Sequence, residues 1–413
     1  DFRWNKWITP VGMILLLSAI SCATRDSNKT NSTDQKVAEL LTQMTLEEKV
    51  GQMAQINLTV LAKGPDRFNS IEPIQLDEER LAKAIDTYHV GSVLNTTNNR
   101  ARTPEVWNTT INELQNRAAN TRLGIPIIYG LDGIHGATYV AGATMFPQQI
   151  SVAATWNPKH AYEMARITAY DTKASSIPWN FSPVLDLGLE SRFPRQFETF
   201  GEDPYLATVM GQQAILGYQG PENDISTPYT LAACMKHFLG YQITRTGKDR
   251  TPAFISEHEL REIHLPSFER AIKSGAKTIM INSGLINSLP VHANKYLLTT
   301  LLREELGFEG VILTDWEDIN KLHDRDKVAA SRKEAVKMAI NAGIDMSMIP
   351  YDYEEFCDNL VALVKEGAVS QERIDDAVTK ILRLKFDLNL FKKATSSPED
   401  YPDFGNTKHE QLA

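Results

Sequence analysis

The chain has 413 residues, 42% of them hydrophobic and 23% charged, with a formal net charge of −9 and a pI near 5.6. That is a globular composition rather than a disordered one, and the lack of a basic stripe excludes nucleic acid as a partner. No pair among Cys22, Cys234 and Cys357 has metal-ligand or redox spacing, and Cys234 and Cys357, in apolar or helical contexts, read as core thiols.

At the start of the chain, Lys6 precedes the apolar run Val11 to Leu17, and Ser18, Ala19, Ile20 and Ser21 lead to Cys22. A basic start, a short apolar stretch and small residues before a cysteine read as an export signal over residues 1–22. The run is too short to span a bilayer as a stable helix. The placement of Cys22 resembles a bacterial lipoprotein signal, in which that cysteine is lipidated and becomes the first residue. Plain secretion with cleavage nearby is the alternative. The expected location is the periplasm or the outer membrane, with membrane contact only through the anchor. Residues 23–35 are polar and read as a flexible tether.

Folded sequence is expected from Lys36. Val37, Leu40, Leu41 and Met44 have helical spacing, and Thr45 with Glu48 forms a capping-box pattern for a second helix. Eight short apolar runs then read as strands: 52–58, 92–97, 126–132, 179–187, 231–238, 278–284, 311–316 and 345–349. Helical patterns fall between or after them, near 104–121, 158–173, 205–218, 257–274, 293–306, 331–342, 352–366 and 370–386. Alternation of this kind implies parallel strands, and eight of them predict an α/β fold, a TIM-type (β/α)8 barrel over 36–386, with irregular first strands allowed for. A doubly wound open sheet is the runner-up, but no glycine-rich phosphate fingerprint follows the first strand. The stretch 387–405, with Pro398, Pro402 and Gly405, reads as a linker, so that 387–413 holds a linker and the start of a second α/β domain.

The ends of these strands carry the chemistry. Gly310, Val311, Ile312, Leu313 and Thr314 lead to Asp315 and Trp316. A carboxylate at the carboxyl end of a buried strand is where a parallel barrel keeps its reacting groups. The run 126–132 ends on Asp132, the run 231–238 carries Lys236 and His237, and Arg195 follows the run 179–187. Each of the five has a structural reading of its own: a turn cap, a surface ion pair, a snorkelling lysine or a satisfied core histidine. All five being structural on one face is much less probable, because burying several charges is costly. Cations, an imidazole and carboxylates around a cleft suit charged hydrogen bonds to hydroxyls, and Trp316 offers a flat apolar surface for a sugar ring. There is no serine elbow, metal-ligand cluster or phosphate loop, and no cofactor is implied. Hydroxyl recognition with a carboxylate nucleophile points to glycosyl transfer to water.

From Val37 onward the chain resembles the barrel domain of glycoside hydrolase family 3, the β-glucosidase and exo-β-glucanase type. The resemblance rests on four motifs in order: Leu131 to Gly136, Phe197 to Pro204, Lys236 to Phe238, and Leu313 to Trp316. It implies Asp315 as catalytic nucleophile and Asp132, Arg195, Lys236 and His237 as ligands of the sugar in the −1 subsite, with Trp316 lining that pocket. Arg250 is a further substrate-binding candidate, equally readable as a loop-stabilising ion pair. The implied reaction is retaining, exo-acting hydrolysis of terminal non-reducing β-D-glucosyl residues from β-glucosides or β-glucan oligosaccharides. Retention needs an acid/base ~5–5.5 Å from the nucleophile. The resemblance places that glutamate on a second domain, so this chain alone is expected to turn over little. Lys236, Arg195 and His237 are expected to lower the pKa of Asp315 by proximity. The His-Asp pair of the single-domain N-acetylhexosaminidase branch is absent from Leu239 to Arg245, and Met280 to Gly284 replaces an aromatic found in many relatives. A β-xylosidase-type specificity and a non-catalytic, tethered sugar-binding barrel are the alternatives. An aldolase-like barrel is weaker, since no phosphate loop follows the seventh and eighth strands.

Overall fold

The computed structural model describes residues 32–413. The export signal, Cys22 and most of the tether lie outside the described residues. The chain divides into a first unit ending at Gln43 and a second, Met44–Ala413. In the first, residues 32–43 form one helix, so the last four residues of the expected tether are helical. Polarity does not stop a helix, and Gln35 donates from Nε2 to Glu39 Oε1 at 2.9 Å, one turn on.

The second unit opens with a helix, Leu46–Gln52, that starts where the capping box predicts. Glu48 N donates to Thr45 Oγ1 at 3.2 Å, and Thr45 N donates to Glu48 Oε2 at 2.8 Å. Eight strands build the main sheet: β1 Ala54–Asn57, β2 Ser92–Leu94, β3 Ile128–Leu131, β4 Trp179–Asn180, β5 Ala232–Phe238, β6 Thr278–Ile281, β7 Val311–Leu313 and β8 Ser347–Met348. All pair in parallel, neighbour to neighbour, and β8 pairs with β1. A parallel bridge from Leu313 to Met346 joins β7 to the approach of β8, so the sheet is nearly closed into a (β/α)8 barrel. Val93, Ile128, Ile279 and Ile312 are fully buried, as expected where helices cover the outside and side chains fill the inside. Three of the covering helices, Pro104–Ala119, Pro158–Lys173 and Pro204–Gln219, begin with proline at the first helical position, where the missing N–H is no loss.

Each strand is shorter than its apolar run, because the residues past the carboxyl end leave the ladder to build the barrel mouth. β4 shows this most. The run 179–187 gives a strand of two residues, and Pro183 a little further on has no N–H to pair. Beyond it the chain stays beside β5 through single contacts: Lys236 N donates to Pro183 O at 3.0 Å and Leu185 N to Lys236 O at 2.7 Å.

Within the stretch 387–405 the chain is pinned to the barrel at two points. Tyr401 is buried against Tyr170 and donates to Pro228 O at 2.6 Å, while Ser396 N donates to Ser176 Oγ at 2.7 Å. A short helix, Thr407–Leu412, follows. Cys234 and Cys357 are free and buried, as core thiols should be.

Candidate active site

Asp132, Arg195, Lys236, His237, Arg250, Asp315 and Trp316 all lie at the carboxyl ends of the strands or on the loops that leave them. Their contacts form one connected cluster. On one side, Lys236 Nζ, from within β5, reaches across to Asp132 Oδ1 at 2.6 Å. Lys236 is 2% exposed as a side chain and Asp132 34%, so the pair presents its carboxylate to the cleft and keeps its cation underneath. The turn after Asp132 is clamped by Asn180, whose Oδ1 accepts from Gly133 N at 2.6 Å and whose Nδ2 donates to Gly133 O at 2.9 Å. A Cβ at Gly133 would fall 2.9 Å from that Oδ1, so this close approach requires glycine.

His237 is held from three sides. Its Nδ1–H donates to Asp186 Oδ2 at 2.7 Å, its backbone N–H donates to the same oxygen at 3.1 Å, and its Nε2 accepts from Arg195 Nη2 at 3.3 Å. This fixes the neutral tautomer with the proton on Nδ1. Burial, with Arg195, Lys236 and Arg250 nearby, pushes the imidazole well below its usual range. Burial pushes the Asp186 carboxyl up to about 8, against the backbone N–H of His237 and the charge of Arg195. Arg195 is itself anchored by Glu198, Nη2 to Oε2 at 2.7 Å and Nε to Oε1 at 2.9 Å, the bidentate geometry that fixes a guanidinium plane.

Asp315 sits two residues past β7 and is 7% exposed. Trp316 N donates to its Oδ1 at 2.6 Å, and Arg250 Nη2 approaches its Oδ2 at 3.5 Å. Burial alone would push this carboxyl up. The charges of Arg250 and Arg195, the Trp316 N–H and the charge of Lys321 outweigh it and hold the group below the usual carboxylate range. This corrects the expected set of cations. Lys236 is committed to Asp132 and His237 is neutral, so Arg250, 65 residues away in sequence, takes their place beside Arg195. Arg250 also makes the loop ion pair that the sequence offered as its structural reading, its Nη1 donating to Asp249 Oδ2 at 2.9 Å. Trp316 is half-buried, and its ring meets Tyr351 edge to face at 5.7 Å.

Several contributors escaped the sequence reading: Asp186, Glu198, Tyr241, Asp249, Ser283, His292 and Asp318. Tyr241 accepts from Arg195 Nη1 at 3.3 Å and donates to Asp249, tying the Arg195 side of the site to the Arg250 side. Asp186 follows the same rule as Asp132, a carboxylate at the end of an apolar run, but Leu187 after it hides the run's end. Glu198 lies inside a motif that was read only for its resemblance. Among the described residues, no group of three His, Cys, Asp or Glu side chains could hold a metal ion.

The N-terminal domain profile of glycosyl hydrolase family 3 matches residues 45–384. A lysosomal beta glucosidase of Dictyostelium discoideum is 43% identical over 383 residues, which are 90% of this chain and 46% of that protein. A periplasmic beta-glucosidase of Salmonella typhimurium is 28% identical over 94% of this chain and 47% of its own length. The chain thus spans about half the length of these curated relatives. Among solved structures, a β-glucosidase from Erythrobacter marinus superposes with a TM-score of 0.82 at 27% identity, over 92% of this chain and 48% of that one. A Listeria innocua beta-glucosidase in complex with isofagomine gives 0.76 at 30% identity, over 91% and 48%. With a nearly closed (β/α)8 barrel and a family match that runs from the capped helix before β1 to the last helix of the wall, the chain belongs to glycosyl hydrolase family 3 through its N-terminal domain.

Proposed function

We propose that this barrel carries the sugar-binding site and the nucleophile of a retaining, exo-acting β-glucosidase, which removes terminal non-reducing β-D-glucosyl residues from β-glucosides or β-glucan oligosaccharides. One observation carries the reading: Asp315 is buried at the end of β7, yet Arg250 and Arg195 keep it ionised within the same charged cluster as Asp132, Lys236 and His237. A nucleophilic carboxylate must be ionised and dry at once, and this arrangement supplies both.

In this reading Asp132, Lys236, Arg195 and His237 grip the hydroxyls of one glucosyl unit. Those contacts tighten as the ring flattens toward an oxocarbenium ion, so they add rate as well as affinity. Asp315 attacks C1 as the C1–O bond to the aglycone breaks, and water later opens the glycosyl-enzyme. Family resemblance puts the proton donor for an ordinary aglycone on a second domain. A dinitrophenolate leaving group needs no such proton, so it tests the barrel alone. The related names support the substrate class: the family includes beta-glucosidases and an exo-1,3/1,4-beta-glucanase from a Pseudoalteromonas species. Export through the N-terminal signal, with a lipid on Cys22, belongs to the same proposal and is checked by the mass of the N-terminal peptide from cells.

The test is calorimetric titration with D-glucose beside the release of dinitrophenolate from its β-glucoside. The expected result is saturable glucose binding that Asp132→Ala weakens, plus one stoichiometric release of dinitrophenolate. Binding with no release supports a non-catalytic sugar-binding barrel, and neither binding nor release contradicts the assignment of the site.

A further inference from the structure

Beneath Asp315 lies a second carboxylate that the proposed reaction does not use. Asp318, at the start of the helix Asp318–Asp324, is 1% exposed and cannot touch a sugar. Its Oδ1 accepts from Ser283 Oγ at 2.8 Å, and Ser283 Oγ in turn accepts from Arg250 Nε at 2.9 Å. Ser283, two residues past β6, is therefore a relay. Arg250 is held through its Nε by the hydroxyl that Asp318 orients, and it presents its Nη2 to Asp315.

The groups that face Asp318 come from every element around it. Lys321 Nζ lies 3.3 Å from its Oδ1 and Arg325 Nη1 3.8 Å, both from the helix that Asp318 begins or its C-terminal cap. His292 Nε2, from the turn 291–293 before β7, lies 3.8 Å from its Oδ2 and accepts a backbone hydrogen bond from Asp315 N at 3.4 Å. Burial pushes this imidazole down to about 3, so it is neutral and adds no charge. Asp326 pairs with Arg325 Nε at 2.7 Å, and Arg250 and Asp315 complete the set. Asp318 Oδ2 accepts no hydrogen bond from the described residues, which is unusual for a fully buried carboxylate.

We propose that Asp318 is a positioning residue that acts on Asp315 through Ser283 and Arg250, so that the charge on Asp318, rather than that on Asp315, sets how well the covalent step runs in mild acid. The inference rests on the proposed role of Asp315 as nucleophile. Ionised, Asp318 offsets Lys321 and Arg325 and fixes the aim of Arg250. Neutral, it leaves the charges of Lys321, Arg325 and Arg250 less balanced beside Asp315. Their excess field keeps Asp315 ionised but binds its electron pairs more tightly, and so weakens its attack on C1. Burial pushes the Asp318 carboxyl up to about 6, against the pull of Lys321 and helped by the charge of Asp315, while Asp315 stays below the usual range. Two carboxylates whose environments drive them apart divide two roles between them.

The covalent step isolates this effect. With 2,4-dinitrophenyl 2-deoxy-2-fluoro-β-glucoside, the Asp315 carboxylate oxygen forms a bond to C1 as the C1–O bond breaks, and the electron pair leaves on the phenolate. No proton is transferred. The inactivation rate constant is measured from pH 4 to 8 for the wild-type chain, Asp318→Asn and Ser283→Ala, with D-glucose affinity by calorimetry as the check on folding. The wild-type rate is expected to step down by about tenfold as pH falls through the range where Asp318 takes its proton. Asp318→Asn is expected to run at the lower rate at every pH, without that step. Ser283→Ala breaks the relay and is expected to be slower by a similar factor, with glucose affinity held within about twofold. Loss of glucose binding in Asp318→Asn is answered by Ser283→Ala, which removes no buried charge. An unchanged step in both variants overturns the proposal, as does a uniform drop that leaves the wild-type pH profile intact. Absence of any inactivation in the wild-type chain instead overturns the nucleophile assignment.

Discussion

On the β3–β5 side of the barrel mouth, each polar group meets its partner at hydrogen-bond distance: Lys236 to Asp132 at 2.6 Å, neutral His237 to Asp186 at 2.7 Å, Arg195 to Glu198 at 2.7 Å. On the β6–β7 side the charged groups reach the two buried carboxylates over longer, shared distances: Arg250 to Asp315 at 3.5 Å, Lys321 to Asp318 at 3.3 Å, and His292 and Arg325 to Asp318 at 3.8 Å each. Short, closed pairs fix side chains in one geometry, which suits recognition of a rigid ring of hydroxyls. Long, shared contacts supply field without tying up lone pairs, which suits a carboxylate that has to form a new bond. The two halves meet at Tyr241, which touches Arg195 on one side and Asp249 on the other.

The largest expected effect separates chemistry from grip. Asp315→Gly should cut dinitrophenolate release from the activated glucoside by on the order of 10^4 or more, while glucose affinity changes only a few-fold. Lys236→Met should do the reverse. It strands Asp132 and removes a buried cation, so glucose affinity in calorimetry should fall about 100-fold, with a smaller loss, about tenfold, in the rate of the already bound activated substrate. A Lys236 variant that binds normally breaks the division of labour.

Arg250→Gln tests the loose half. Without that guanidinium, burial raises the Asp315 carboxyl, so the nucleophile protonates at a higher pH. The acid limb of inactivation should move up in pH, with a loss of about tenfold at pH 5 that shrinks toward pH 8.

Asp186→Asn tests the closed half through stability. The native carboxyl of Asp186 is raised to about 8, above its value in the unfolded chain. Over that window the native state binds more protons than the unfolded one, so this group's contribution falls as pH rises from about 4 to 8. Urea unfolding at pH 5 and pH 8 should show a smaller loss in the asparagine variant, by on the order of 1 kcal/mol. The smallest effect belongs to the hinge between the halves. Tyr241→Phe should lower the activated-substrate rate by about threefold and leave glucose affinity unchanged.

The barrel was legible because its strands lie in short branched apolar runs, several of which carry a charged residue at or near the carboxyl end. Asp132, Lys236, His237 and Asp315 announce themselves in that way. The closed pairs could be read only in part. Asp186 ends its run as plainly as Asp132 does, but Pro183 breaks the ladder and Leu187 prolongs the apolar pattern past it. The pairings of the loose half could not be read. Arg250 has left-handed backbone in a loop with no periodicity, and its partner Asp315 lies 65 residues on. Asp318 is one of many acidic residues at a helix start, a position where exposure is the ordinary outcome. Only the packing of β6 and β7 shows that it is buried beside Asp315. At 32–35 the expected tether runs into helix, since polar residues say what a segment leaves in water, not whether it is helical.

The most direct test of the central claim is peptide mass spectrometry after reaction with 2,4-dinitrophenyl 2-deoxy-2-fluoro-β-glucoside. The account predicts one 2-fluoroglucosyl group per chain, on the peptide that carries Asp315, with protection by D-glucose. A label on Asp132, Asp186 or any other carboxylate contradicts it, as does an unlabelled chain that has released dinitrophenolate.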